Sequence, residues 1–133
     1  MPLVTLSLEA GRTREQKRQL ADAVYEAMRA TIEIPENDRF LAIRDYTAGD
    51  LIADPDFLGV ERTGHPIFVE ITLRRGRTVE KKQALYREIA RRMTTTGLVQ
   101  PEDVLIVLRE NDTPDWSFGN GVAQYVEREQ RSQ

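Results

Sequence analysis

Three groups of residues in this chain could do chemistry on a proton or a small anion. They are a proline directly after the initiating methionine (Met1-Pro2), an acid in the turn-forming pair Asn37-Asp38, and the guanidinium cluster Arg74-Arg75-Gly76-Arg77. Met1 is normally trimmed when a small residue follows it, which would leave the Pro2 nitrogen as a free secondary amine. Val4, Leu6 and Leu8 alternate as the inward face of a strand, so this amine would begin a strand anchored in a core. A retained Met1 would make the same nitrogen an amide, with neither charge nor nucleophilicity. An α-amino group ionises near roughly 7.7–8 in water. Nearby arginines depress that value and a nearby Asp38 raises it, so their balance selects general acid or general base. Arginine is permanently charged and forms a bidentate fork onto carboxylates. Each group also has a plainer reading: Met1-Pro2 as an ordinary start whose terminus frays, Asn37-Asp38 as a turn, and the arginines as a solvated helix entry; the aromatic pair Trp116 and Phe118 further along reads plainly as core.

Composition narrows the alternatives. The 133 residues contain no cysteine and one histidine, which excludes disulfides, thiolate catalysis and cysteine-ligated metals and argues against a histidine-rich zinc site. The lone His65 precedes Pro66 in a loop and reads as structural or solvated. With 19 basic and 22 acidic residues the formal charge is −3, which gives no overall field for nucleic acid, although a local basic patch still suits a small anion. No run of 18 apolar residues is present, so no membrane span is expected, and the first residues lack the basic-then-apolar order of a signal peptide. The chain is expected in the cytoplasm.

The elements that must position these groups follow from pattern. Thr13-Arg14-Glu15-Gln16 is a capping box, and Leu20, Ala23, Val24, Ala27 and Met28 recur at helical spacing behind it. Residues 34–38 form a turn before an apolar run at 40–43. Residues 46–64 carry turn formers and predict a surface loop or short hairpin. Residues 67–73 read as a strand, 78–93 as a helix with Leu85, Ile89 and Met93 inward, and 104–108 as a buried strand.

The second half repeats the first. A shift of 65 pairs Val4 with Val69, Gly11 with Gly76, Arg12 with Arg77, Thr13 with Thr78, Glu15 with Glu80, Lys17 with Lys82, Leu20 with Leu85, Met28 with Met93, Asp38 with Asp103 and Arg44 with Arg109. Residues 1–133 are therefore one α+β domain of two pseudo-repeats, 1–50 and 66–115, with a polar and disordered tail over 127–133. Pro66 lies one residue off the register of Pro2 and has no free amine. Two right-handed β-α-β units give a four-stranded sheet with two helices on one face. Val4, Leu6, Leu8 and the run 104–108 exceed what two helices can shield, so copies are expected to pack their sheets together, and 118–126 to pair with a neighbour.

These features resemble the tautomerase superfamily, the fold of macrophage migration inhibitory factor, and within it the malonate semialdehyde decarboxylase branch. The resemblance runs through Glu9-Ala10-Gly11-Arg12-Thr13, Pro35-Glu36-Asn37-Asp38-Arg39, Arg75-Gly76-Arg77 and residues 110–119. It implies a homotrimer without cofactor or metal, in which Pro2, Asp38, Arg75 and Arg77 serve the reaction. Arg74 is the alternative to Arg75 for holding substrate, and Trp116 and Phe118 are an apolar wall. Loss of carbon dioxide from a 3-oxo acid requires a clamp for the carboxylate, a donor to the carbonyl oxygen, and a proton for the enolate. The arginines suit the first task and a cationic Pro2 the others, or a neutral Pro2 forms an iminium with the aldehyde. Asp38 could also activate water for a hydratase side reaction. A second reading is keto-enol tautomerisation of a 2-oxo acid of the phenylpyruvate type, with neutral Pro2 as base. The cis-3-chloroacrylic acid dehalogenases of the superfamily use an extra histidine where this chain has Arg29 or its neighbours, which disfavours dehalogenation. A non-enzymatic signalling trimer is the reading from a different class.

Overall fold

The computed structural model describes residues 1–132. Strand β1 (Leu3–Glu9) leads into helix α1 (Arg14–Ile32) and strand β2 (Leu41–Tyr46); β3 (Ile67–Arg74), α2 (Val79–Thr95) and β4 (Val104–Asn111) follow, and α3 (Gln124–Arg131) ends the chain. Thr13 caps α1 with a complete capping box, its hydroxyl accepting from Gln16 N at 3.1 Å and its amide donating to Gln16 Oε1 at 2.9 Å. Thr78 caps α2 in the same way, accepting from Lys81 N at 3.2 Å. Both caps satisfy amides that the first helical turn leaves without partners.

The sheet order is β2-β1-β3-β4, with β1 parallel to β2, β3 parallel to β4, and β1 antiparallel to β3. Val4 pairs with Ile71 and Leu6 with Val69, as a two-fold axis between the central strands requires, because a shift of 65 exchanges the two pairs. The repeat extends to side chains: Lys17 binds Asp45 at 3.0 Å, and its counterpart Lys82 binds Glu110 at 3.0 Å. Leu20, Val24 and Met28 of α1 and Leu85, Ile89 and Met93 of α2 are buried against Val4, Leu6, Leu8, Val69, Ile71 and Leu73. Each fully buried aliphatic side chain there stabilises the fold by about 1.5–3 kcal/mol.

Three expectations change. Val4, Leu6 and Leu8 lie beneath the helices, so they are not the surplus apolar face. The β4 run is half-buried, with Val107 exposed on the open sheet face. Strand residues alternate between faces, and only one face carries helices. The expected surface loop is present over 47–66, with one short helical turn, Phe57–Gly59, and no hairpin. At the C-terminus α3 makes 127–131 helical where a disordered tail is expected, and it docks on its own chain where 118–126 is expected to pair with a neighbour. Gln124 clamps the preceding turn, accepting from Phe118 N at 2.9 Å and donating to Gly119 O at 3.1 Å, while Tyr125 meets Phe118 edge-on. These contacts hold a helix whose own composition would not. The tail expectation at Gln133 lies outside the described residues.

Candidate active site

Three connections converge at one end of the sheet: the start of β1, the turn before β2, and the link from β3 to α2. They border a cavity of about 830 Å³ lined by Met1, Asp38, Arg74, Arg75, Arg77, Lys81, Tyr125 and Arg128, among others. The hydrogen bonding of β1 to both β2 and β3 fixes the chain's start there. The nitrogen facing the cavity is that of Met1, a buried residue whose amine forms an ion pair with the Asp38 carboxylate. Pro2 is also buried, one residue behind, with its nitrogen as the Met1-Pro2 amide.

Asp38 is 9% exposed and closes a turn in which its amide donates to Pro35 O at 3.2 Å. Burial lowers the pKa of the terminal amine from 8.0 to about 5, with the charges of Arg77 and then Arg74 adding to the effect. The Asp38 carboxylate in contact with that nitrogen favours the charged form. One carboxylate is thus set against two guanidiniums, and their balance controls the proton.

The arginines divide into two roles. Gly76 adopts φ +121°, a conformation that L side chains rarely adopt. That turn folds Arg77 back so that its Nη1 donates to Arg74 O at 2.7 Å. Burial, followed by the like charge of Arg74, holds the Arg77 guanidinium below its ordinary pKa; an arginine remains charged under such a shift. Arg75 also borders the cavity, but its Nε donates to Asp112 Oδ1 at 2.6 Å and its side chain is mostly exposed. The cations acting on the terminal amine are therefore Arg77 and Arg74.

Trp116 and Phe118 do not line the cavity. They stack with centroids 5.6 Å apart, and Phe118 also meets Phe40 and Tyr125. Tyr125 is the member of this cluster that reaches the cavity, with the Arg74 guanidinium 5.8 Å from its ring centre. The expected wall is therefore not part of the cavity lining: Trp116 and Phe118 form an aromatic cluster whose neighbour Tyr125 borders the cavity instead. Sequence reasoning missed Tyr125, Lys81 and Arg128. Lys81 follows the α2 cap by three residues, which places it on the first turn beside Arg77, and that spacing was a readable signal. Tyr125 and Arg128 depend on the docking of α3, for which the sequence has no local signature.

A family model described as tautomerase enzyme matches residues 38–119, and a second of the same description matches residues 2–61. The chain belongs to the tautomerase family. Within the family it is 42% identical to the probable tautomerase YusQ of Bacillus subtilis (strain 168), over 96% of this chain and 100% of that protein. The crystal structure of FG41 malonate semialdehyde decarboxylase inhibited by 3-bromopropiolate superposes with a TM-score of 0.89 at 38% identity, covering 96% of each chain. A fused 4-OT wild-type symmetric trimer superposes with a TM-score of 0.76 at 26% identity, covering 93% of this chain and 98% of that one. This tautomerase-family chain thus shares the four-stranded sheet and paired helices of those structures. No helix among the described residues is long and apolar enough to cross a membrane.

Proposed function

We propose that the Met1-free protein is a cofactor-independent decarboxylase of malonate semialdehyde or a similar short 3-oxo acid, centred on the Pro2 amine. The observation that carries this reading is the convergence of the chain's first nitrogen, Asp38, Arg77 and Arg74 on one cavity. Removal of Met1 would move the terminal nitrogen back by one residue, a step of about 3.8 Å between α-carbons, and would free the space its side chain fills.

In this reading Arg77 and Arg74 fork the substrate carboxylate and orient it. The cationic amine donates a hydrogen bond to the 3-carbonyl oxygen, an interaction worth about 3–4 kcal/mol in the transition state for one well-placed donor. The bond between C2 and the carboxyl carbon breaks, carbon dioxide leaves, and its electron pair forms the enolate. The enolate takes a proton at C2, so malonate semialdehyde plus one proton gives acetaldehyde and carbon dioxide. Asp38 holds the amine in its charged form and can direct water in a hydratase side reaction. The similarity to a malonate semialdehyde decarboxylase at 38% identity supports the substrate class.

A second reading, keto-enol tautomerisation of a 2-oxo acid, is favoured by the surroundings of the chain start, where burial and then the charges of Arg77 and Arg74 lower an amine's pKa and so favour a neutral base, and by the name of the 42% identical relative. We propose a homotrimer for either reaction. Exposed Leu3 and Val107 on the open sheet face, and Ile52, Phe57 and Leu58 in the connecting loop, form an apolar surface suited to other copies, and the fused 4-OT trimer has the same fold.

The test is proton NMR of malonate semialdehyde with protein whose first residue is verified as proline by mass spectrometry, beside a Pro2→Ala control. Acetaldehyde from the first and not the second is the expected result. Absence of acetaldehyde with both overturns the decarboxylase reading, and 2-oxo acid tautomerisation is then assayed on the same samples.

A further inference from the structure

The duplication supplies an internal comparison for the candidate site. A second cavity of about 270 Å³ is lined by Arg12, Gly97, Leu98, Val99, Gln100 and Asp103, together with Thr63 and His65 from the connecting loop. A shift of 65 turns the first six into Arg77, Ile32, Glu33, Ile34, Pro35 and Asp38, all of which line the candidate site. The local bonding repeats as well: Asp38 N donates to Pro35 O at 3.2 Å and Asp103 N to Gln100 O at 3.1 Å. Arg77 Nη1 donates to Arg74 O, and Arg12 Nη1 to Glu9 O at 3.4 Å. The second cavity is the two-fold counterpart of the first.

Several lining side chains differ between the two, and three differences bear on the carboxylate. The terminal amine on Asp38 is replaced by Thr63, whose amide donates to Asp103 Oδ1 at 2.9 Å and whose hydroxyl donates to Asp103 Oδ2. Arg74 is replaced by Glu9, which sits 3.2 Å from His65 Nδ1. Finally, Tyr25 in α1 is replaced in α2 by Ala90. The third difference has no counterpart in the reaction chemistry considered so far. Tyr25 is 1% exposed; its hydroxyl donates to Glu36 O, and the Arg39 guanidinium lies 3.9 Å from its ring centre while pairing with Asp22. The residues two before and one after Asp38 are therefore both fastened to one aromatic side chain. In the second copy the fastening is made by Thr63 directly on the carboxylate, which fills the acceptor sites a substrate or amine would need.

We propose that Tyr25 is a positioning residue that fixes the Asp38 carboxylate against the N-terminal nitrogen, and that it marks which of the two duplicated cavities is equipped for amine chemistry. Asp38 has no side-chain donor like Thr63 and must stay open to the amine. Its turn is held from the flanks instead, and a phenylalanine would fill the same core space without the hydroxyl that binds Glu36 O. This inference rests on the reading of the terminal amine as the reactive group.

The test measures the amine without requiring turnover. Iodoacetate alkylates only the unprotonated amine, displacing iodide and forming a new N–C bond, and the absence of cysteine removes the competing thiol. The rate of modification of the first peptide, followed by mass spectrometry against pH in the Met1-free protein, gives the midpoint at which the amine ionises. Tyr25→Phe is expected to lower that midpoint by about 1 unit, the scale on which a nearby opposite charge acts, because a loosened Asp38 supports the ammonium less. Asp38→Asn is expected to lower it further, and Tyr25→Phe added to Asp38→Asn to change nothing. Thr63→Ala, which loosens the second cavity, is expected to lower the melting temperature and leave the midpoint in place. If Tyr25→Phe proves unfolded by circular dichroism, Arg39→Gln removes the stacked guanidinium and is expected to lower the midpoint in the same direction. An unshifted midpoint in the folded variant, or shifts that add with Asp38→Asn, overturns the role of Tyr25. A wild-type protein whose first residue is not alkylated at any pH overturns the amine reading itself.

Discussion

Arg75 and Asp112 are joined through Nε and Oδ1 at 2.6 Å, so of the three cavity arginines within 74–77 the middle one is committed to the residue that follows β4. Arg75→Ala is expected to lower kcat/KM by no more than about fivefold, since an exposed ion pair is worth about 0–1 kcal/mol. Arg77→Ala is expected to lower it by about a hundredfold or more, as for loss of one transition-state donor, and Arg74→Ala to fall nearer Arg77 than Arg75. Steady-state assays of the three variants decide the assignment; equal losses at Arg75 and Arg77 would contradict it.

The pH dependence has a defined sign. Burial, then Arg77 and Arg74, pull the terminal amine from 8.0 toward about 5. Once Met1 is removed, general-acid decarboxylation needs the protonated Pro2 amine, so activity should be greatest below that amine's pKa, with a falling limb as pH rises through it. Asp38→Asn removes the support for the cation and should move the limb to lower pH. Tautomerisation by the neutral amine should rise across the same interval, and a flat profile would exclude both roles. In the Met1-bearing chain the folded state binds fewer protons than the unfolded chain between about pH 5 and 8.0, so its melting temperature should increase with pH there.

Gly76 and Gly11 are repeat partners with φ of +121° and +124°, and a Cβ at either meets nothing within 4 Å. Alanine at either position costs conformational strain, about 1–3 kcal/mol, without a clash. Both variants should lose similar melting temperature. Only Gly76→Ala should also lower kcat, because that turn aims Arg77, whereas Gly11 aims Arg12 in the second cavity. Matched activity losses in the two variants would refute the division between the cavities.

Tyr125 brings α3 to the cavity through its contacts with Phe118 and Arg74. Tyr125→Ala removes an aromatic edge contact and a cation-π contact, each worth about 0.5–1.5 kcal/mol. KM is expected to rise by about tenfold with kcat largely retained, since the ring borders the site without touching the terminal nitrogen. A fall in kcat with KM unchanged would place Tyr125 in the chemistry instead.

Local rules made most of the fold legible in the sequence. The Thr13 capping box, the period of Leu20, Val24 and Met28, and the alternation of Val4, Leu6 and Leu8 all reflect short-range physics, and the repeat supplied the pairing of the two units. Asp38 and Arg77 could be named as site candidates because their surrounding motifs are specific. The remainder depended on contacts between distant residues. The choice between Arg74 and Arg75 turns on Asp112, 37 positions away from Arg75. The α3 helix exists where Tyr125 and Gln124 find Phe118 and its turn. The aromatic character of Trp116 and Phe118 suits a wall, but of their cluster only Tyr125 borders the cavity. The half-burial of β4 reflects which sheet face lacks a layer, and alternation alone does not say which face that is.

The two-fold pair of cavities has a stoichiometric consequence. A polypeptide has one beginning, so joining two β-α-β units head to tail turns the nitrogen of Pro66 into a peptide amide and leaves at most one terminal amine per folded unit. Two separate half-length chains in the same arrangement would offer two. Under the proposed amine chemistry the tandem arrangement therefore carries half as many reactive ends, and the half without one can hold Glu9, Thr63 and Ala90 where Arg74, the amine and Tyr25 stand in the other.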